Sequence, residues 1–170
     1  MIMDYTRIPL ADCPTGTEGE VMLFALDRVH RKFAWKTGGL TVDQLQQRHP
    51  PSKMTLAWLI IHLTRVEADW TAKAEGRSHE ESLGGMDWDA HGRQPDRLYG
   101  LWYDTIARTR QSWATMINDG GLDTVVDWGD GYRVNRRRAL TDILEENLLH
   151  TGHASIVREA VDGLIGNDPP

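Results

Sequence analysis

Apolar residues recur three or four positions apart along four long stretches of this chain, which is the spacing of a buried helix face. The pattern predicts helices over residues 18–37, about 52–74, about 95–118 and about 136–161. Local signals agree, because Gly38-Gly39 ends the first, Pro95 opens the third and Asn135 caps the fourth. A capping box at Thr41-Val-Asp-Gln44 predicts a further short helix.

The pattern changes before the last helix. Two β-prone runs flank Gly129-Asp130-Gly131, so we expect a small hairpin over residues 125–134. Three stretches are expected to be irregular: a leader (1–16), a long loop (76–94) and a flexible tail (164–170). Four long helices with one long crossover predict an all-α four-helix bundle, with the short hairpin before the last helix, in a single domain over residues 1–170.

Composition restricts the function classes. The chain has 170 residues, 40% of them hydrophobic and 26% charged, as in a globular domain. A net charge of -6 argues against a nucleic-acid partner, because phosphate binding requires a concentrated basic face. The basic cluster Arg136-Arg137-Arg138 is only three residues long, and we interpret it as the solvent-exposed start of the last helix.

Cysteine usage and hydropathy indicate the compartment. Cys13 is the only cysteine, which excludes an intrachain disulfide and favours a cytoplasmic protein. The longest apolar run, Leu56–Leu63, contains His62 and is far shorter than the roughly 20 residues of a membrane span. The first residues lack the layout of a signal peptide. We therefore expect no membrane association.

Candidate chemistry is concentrated in the last helix. Glu146, His150 and His153 are spaced by four and then three positions, so their side chains share one arc of the helix with Ile143 and Val157. Polar groups in an apolar stripe require partners, and a divalent metal would satisfy all three. Leu140, Leu144 and Leu148 lie nearly opposite, and the sequence leaves open which side faces the bundle axis.

A third imidazole, His62, stands within the second helix. Bundle cores often hold metals between facing helices, so His62, His150 and His153 are candidate ligands with positions left for substrate. Glu146 is a candidate fourth ligand, general base or hydrogen-bond partner that orients His150. A hydrogen-bonded core histidine is the alternative interpretation of His62.

The remaining histidines stand in polar or loop contexts and are expected to be exposed: His30, His49, His79 and His91. Glu67 is expected in a surface or interhelix ion pair, and Trp70 in core packing.

Several segments in order resemble the DinB-like superfamily of metal-binding four-helix bundles, and within it an actinobacterial branch linked to mycothiol-dependent S-transfer. The matching segments are Gly39–Leu45, Pro51-Ser52, His62–Trp70 and Glu145–Gly163. The resemblance implies one divalent metal, held here by His62, His150 and His153. Zinc is the expected metal, with nickel or manganese as alternatives. In a related isomerase branch a Glu four residues before a His is a ligand, which points to Glu146.

The resemblance further implies a low-molecular-weight thiol as co-substrate and a small electrophile as acceptor. Trp58, Trp102 and Trp128 are candidate pocket walls. Arg137 and Arg158 are candidate partners for an anionic group of the thiol, or alternatively members of surface ion pairs. Two other functions stay open: a metal-dependent hydrolase with Glu146 as base, and a bundle that binds a metal or small molecule without chemistry. A homodimer is a possible assembly.

Overall fold

Four long helices pack side by side in the computed structural model, which describes residues 3–10, 15–78 and 90–170. The helices are α1 (Glu18–Thr37), the short α2 (Val42–Gln46), α3 (Leu56–Ala74), α4 (Pro95–Asn118) and α5 (Arg136–Asp162), and the hairpin strands are β1 (Val125–Gly129) and β2 (Tyr132–Asn135). The prediction of a mostly helical bundle with a hairpin before the last helix is confirmed.

The helix ends follow from their caps. The Thr17 hydroxyl and the Glu20 carboxylate cap α1 reciprocally, and Asn135 accepts a hydrogen bond from the backbone N–H of Arg138 at the start of α5. At the other end of α5, Gly163 adopts φ +80°, which ends the helix. α3 begins four residues later than predicted, because Thr55 rather than Ser52 caps its first turn.

The hairpin pairs antiparallel, with Val126 opposite Val134. Its turn places Gly129, Asp130 and Gly131 in succession at positive φ values of 107°, 53° and 77°. Glycine adopts such angles without a steric penalty, and Asp tolerates them better than most residues, so Gly-Asp-Gly suits this turn. The buried Val126 and Val134 attach the hairpin to the core.

The bundle buries two apolar clusters. α5 packs against α1 and α3, and α3 also packs against α4. One cluster contains Phe33 and Trp102 and draws on the later part of α1 and the earlier parts of α3 and α4. The other contains Trp113 and Leu140 and draws on the opposite parts of the same three helices, on the first part of α5 and on the hairpin.

A layer of polar side chains separates the two clusters, with one residue from each long helix: His30, Glu67, Thr109 and Asn147. The Glu67 side chain is fully buried. Its Oε1 lies 2.8 Å from His30 Nε2 and 2.9 Å from Asn147 Nδ2. Its Oε2 accepts a hydrogen bond of 3.1 Å from the Thr109 hydroxyl.

This layer corrects one expectation and decides between the two alternatives of another. His30 is not exposed but 1% accessible. Glu67 pairs with His30 of α1, which is the interhelix alternative and not the surface one. A buried carboxylate requires hydrogen-bond donors, and those supplied here come from three other helices. The alignment of all four helices is therefore coupled through one side chain.

The segments outside the bundle also make contacts. Residues Tyr5–Arg7 form a 3₁₀ turn, and the Tyr103 hydroxyl bonds both the backbone N–H and the carbonyl of Asp4. In the expected tail, Asp168 forms an ion pair of 2.9 Å with Lys32. None of the helices in these described ranges is both long and apolar enough to cross a membrane.

Candidate metal centre

His62, Glu146 and His150 meet where α3 packs against α5. His62 Nε2 lies 3.0 Å from Glu146 Oε2, and the same oxygen lies 3.4 Å from His150 Nε2. The α5 residues are four positions apart and therefore one turn apart on the same face. Helical spacing on α5 and the packing of α3 thus bring two imidazoles and a carboxylate to one point.

The donor set fits a divalent metal. One donor atom from each residue can be chosen so that all three lie within 4.8 Å of one another. In a tetrahedral zinc site with bonds of about 2.1 Å, donor atoms lie roughly 3.4 Å apart, so only small side-chain shifts are needed. Two His and one Glu are a known ligand set of catalytic zinc sites, where a fourth position is left for water or substrate.

His153 lies outside this group. Its Nδ1 is 3.2 Å from His150 Nδ1, on the opposite side of the His150 ring from Glu146. Among the described residues, His62, Glu146 and His150 are the group whose donor atoms all lie within 4.8 Å of one another, and the ligand role of His153 stays a prediction. A metal-binding histidine usually makes a hydrogen bond through its other ring nitrogen, which is the position that His153 occupies.

The surroundings favour a neutral His150. Burial lowers the pKa of His150 below its ordinary value, and nearby His62 lowers it further, although Glu146 opposes both effects. A neutral imidazole keeps a lone pair available for a metal. The Trp58 ring stacks on His62 at 4.8 Å and 5° and limits the orientations of that ligand.

An open cleft of about 730 Å³ lies beside the group. His62 and Trp58 form part of its wall, and α2 and the segment after it contribute another part. Gln46 Nε2 donates a hydrogen bond of 2.5 Å to the carbonyl of Ala90, which joins α2 to the segment before α4. A small molecule in this cleft can therefore reach the imidazole of His62.

The other two candidate pocket tryptophans lie elsewhere. Trp102 is fully buried and packs against His30, Phe33 and Tyr103, so it belongs to the core and not to a pocket wall. Trp128 lies on the hairpin with its ring 6.1 Å from that of Trp70, and Trp70 lines the cleft.

Both candidate arginines are held by protein groups. Arg137 forms ion pairs with Glu18 and Asp123. Arg158 bonds Asp162 at 2.9 Å and donates to the carbonyls of Lys36 and Gly38. Arg158 is only 8% accessible, so its place is structural and it is not directed into the cleft. Both arginines therefore fit the ion-pair interpretation better than a role in binding an anionic group of the thiol.

Sequence reasoning missed the polar layer and the charged side of the cleft. The layer left a signal, because His30, Glu67 and Asn147 each stand four residues after a buried apolar residue: Leu26, Leu63 and Ile143. Arg48 and Lys53, which line the cleft, left no such signal, since they lie between helices in a polar segment. His79 and most of the predicted loop over 76–94 fall outside the described residues.

The fold and this site define a class of protein, a four-helix bundle that carries a possible metal-binding His-Glu-His group beside an open cleft. Residues 21–163 match the family model described as mycothiol-S-transferase. The chain therefore belongs to the mycothiol-S-transferase family, a DinB-like family, as the resemblance implied.

Among solved structures, one described as the conserved protein of a locus from Enterococcus faecalis is similar to this chain. The two share 18% sequence identity with a TM-score of 0.62, over 88% of this chain and 100% of the other. This similarity supports the fold alone. No curated protein matches the sequence.

Proposed function

We propose that this protein is a divalent-metal-dependent S-transferase that joins mycothiol, or a similar low-molecular-weight thiol, to a small electrophile. The observation that carries the proposal is the His62–Glu146–His150 group at the edge of an open cleft, in a chain that belongs to the mycothiol-S-transferase family. A divalent metal bound by this group would lower the pKa of a coordinating thiol, so that a thiolate nucleophile exists at neutral pH.

The residues of the chain supply the binding and the orientation. His62 and His150 offer one imidazole nitrogen each, and Glu146 offers Oε2 between them. His153 holds the far nitrogen of His150, and Trp58 restricts the ring of His62 by stacking. In this assignment Glu146 is a ligand, and His153 orients a ligand.

The test is a thiol-consumption assay with metal-loaded protein, mycothiol and 1-chloro-2,4-dinitrobenzene. We expect loss of free thiol and of the electrophile together, at a rate that falls to background after chelation and returns on metal addition. Zinc, nickel and manganese are added separately to identify the metal. Hydrolysis of an ester with no dependence on thiol would instead indicate the metal-dependent hydrolase. A protein that binds metal but shows neither reaction would be a binding bundle.

Two further properties belong to the same proposal. We place the protein in the cytoplasm, in keeping with its family and with a single cysteine. We also propose a homodimer, with α5 as the candidate contact because Leu148, Leu149 and Ile156 are 53%, 55% and 70% exposed. Sedimentation velocity of the wild type and of Ile156→Glu tests the assembly, and a wild-type monomer would contradict it.

A further inference from the structure

The described residues that line the cleft beside the His-Glu-His group carry an excess of positive charge. Arg48, Lys53 and Arg65 line it, and Asp69 is the carboxylate among the described residues of its wall. Asp69 is already neutralised in part, because Lys73 Nζ lies 3.0 Å from its Oδ2. The excess is notable in a chain whose formal net charge is -6.

Two of these cations have no partner within the part of the chain that the structure describes. Arg48 and Lys53 are exposed and form no ion pair or hydrogen bond with the residues that the structure describes. Some cations elsewhere are paired with carboxylates, as Arg110 is with Asp27 and Arg137 is with Glu18. Unpaired cations at the wall of a concave site attract anionic ligands, because the cleft concentrates their field.

We propose that the acceptor substrate is a small electrophile with a carboxylate, and that Arg48 and Lys53 bind this carboxylate while its electrophilic carbon faces His62. The proposal rests on the proposed function and specifies its substrate class. Arg is suited to this role because its planar guanidinium can bind a carboxylate through two hydrogen bonds.

The chemical step is an ordinary substitution. The thiol loses its proton to solvent, its sulfur forms a bond to the electrophilic carbon, and the leaving group departs with the electron pair of the bond that breaks. For the probe 4-chloro-3-nitrobenzoate, the products are the aryl thioether and chloride. The carboxylate takes no part in bond making and serves only to position the ring.

The experiment compares matched anionic and neutral probes on metal-loaded protein. Binding is measured by calorimetry with the unreactive 3-nitrobenzoate and 3-nitrobenzamide. Transfer is measured with 4-chloro-3-nitrobenzoate and the corresponding benzamide. Arg48→Gln together with Lys53→Gln removes the two cations. The control is Arg28→Gln together with Arg133→Gln, which makes the same change in net charge at exposed positions away from the cleft.

We expect the wild type to bind nitrobenzoate about tenfold more tightly than nitrobenzamide, since two exposed ion pairs contribute modestly. The cleft double variant should lose this preference, and the control should keep it. Equal binding of the two probes by the wild type, or the same loss in the control, would overturn the proposal.

The anion subsite and the transferase activity can fail independently of each other. If cation-dependent nitrobenzoate binding is present but thiol transfer is absent with every electrophile, the anion subsite stands and the transferase assignment falls. If thiol transfer proceeds equally well to the benzoate and the benzamide in wild type and cleft variant, the transferase stands and the anion subsite falls.

Discussion

Asn147 donates a hydrogen bond of 2.9 Å from its Nδ2 to Oε1 of Glu67, and so joins α5 to α3. The bond lies one residue after Glu146, and Glu67 lies five residues after His62 on α3. The same two helices therefore carry both the buried polar layer and the His-Glu-His group. A rotation of α5 that moved Glu146 away from His62 would also break the hydrogen bond between Asn147 and Glu67. Because both side chains are buried, water could not replace that hydrogen bond.

The polar layer should contribute strongly to stability. Glu67→Ala removes the partner of His30, Thr109 and Asn147 at once and leaves their polar atoms buried. We expect the free energy of unfolding to fall by about 3 kcal/mol, measured by urea denaturation. Glu145→Ala, at an exposed position on α5, is the control and should change it by less than about 0.5 kcal/mol. Equal effects of the two substitutions would show that the layer is not a stabilising network.

Metal uptake should distinguish ligands from their neighbours. We expect about one divalent ion per chain in the wild type and none in His62→Ala combined with His150→Ala, because two of three donors are lost. His153→Ala should keep the stoichiometry and weaken affinity by about 10-fold, since it removes only the partner of His150. Elemental analysis and calorimetry measure both quantities. Complete loss of uptake in His153→Ala would make His153 a ligand.

The role of Glu146 should appear in the rate of thiol transfer. Glu146→Gln removes the negative charge that faces both imidazoles, and we expect the rate to fall about 10- to 100-fold, with weaker metal binding. Glu145→Gln is the matched control, because it changes the same charge on the same helix at an exposed position. Glu67→Gln is unsuitable as a control, since Glu67 is buried and structural. Full activity with normal metal content in Glu146→Gln would reduce Glu146 to a packing role.

The Arg158–Asp162 pair should stabilise the protein in a pH-dependent way. Burial raises the pKa of Asp162, but the hydrogen bonds from Arg158 and from the backbone N–H of Leu164 outweigh it, and the pKa lies below its ordinary 3.8. The folded state therefore binds fewer protons than the unfolded state in this range. The stabilisation is present at pH values above about 4 and is lost as the pH falls through the folded pKa.

Asp162→Asn tests this relationship. We expect the free energy of unfolding to fall by about 0.5 kcal/mol at pH 7, a small value because solvent screens this partly exposed pair. The difference from wild type should shrink as the pH falls below 4, as followed by thermal unfolding across pH. A difference that stays constant with pH would contradict the ion-pair interpretation. Unchanged stability in Asp162→Asn would reopen a ligand-binding role for Arg158.

The sequence by itself determined the four long helices and most of their ends. The reciprocal caps at Thr17 and Thr41, the Asn135 cap and the Gly163 stop depend on contacts within a few residues, so they can be read locally. α1, which Thr17 caps, and α4, which opens with Pro95, begin and end at the predicted residues. The pairing of Glu146 with His150 was also foreseeable, because four positions along a helix always bring two side chains to the same face.

Tertiary structure alone decided which polar residues were buried and what they met. Glu67 and His30 stand 37 residues apart and belong to different helices, so no local pattern shows that each is the partner of the other. The packing of α3 against α5 placed His62 on the Glu146 side of His150 and left His153 on the far side. Helical periodicity specifies the face on which a side chain lies, whereas the neighbour across that face depends on how the helices dock.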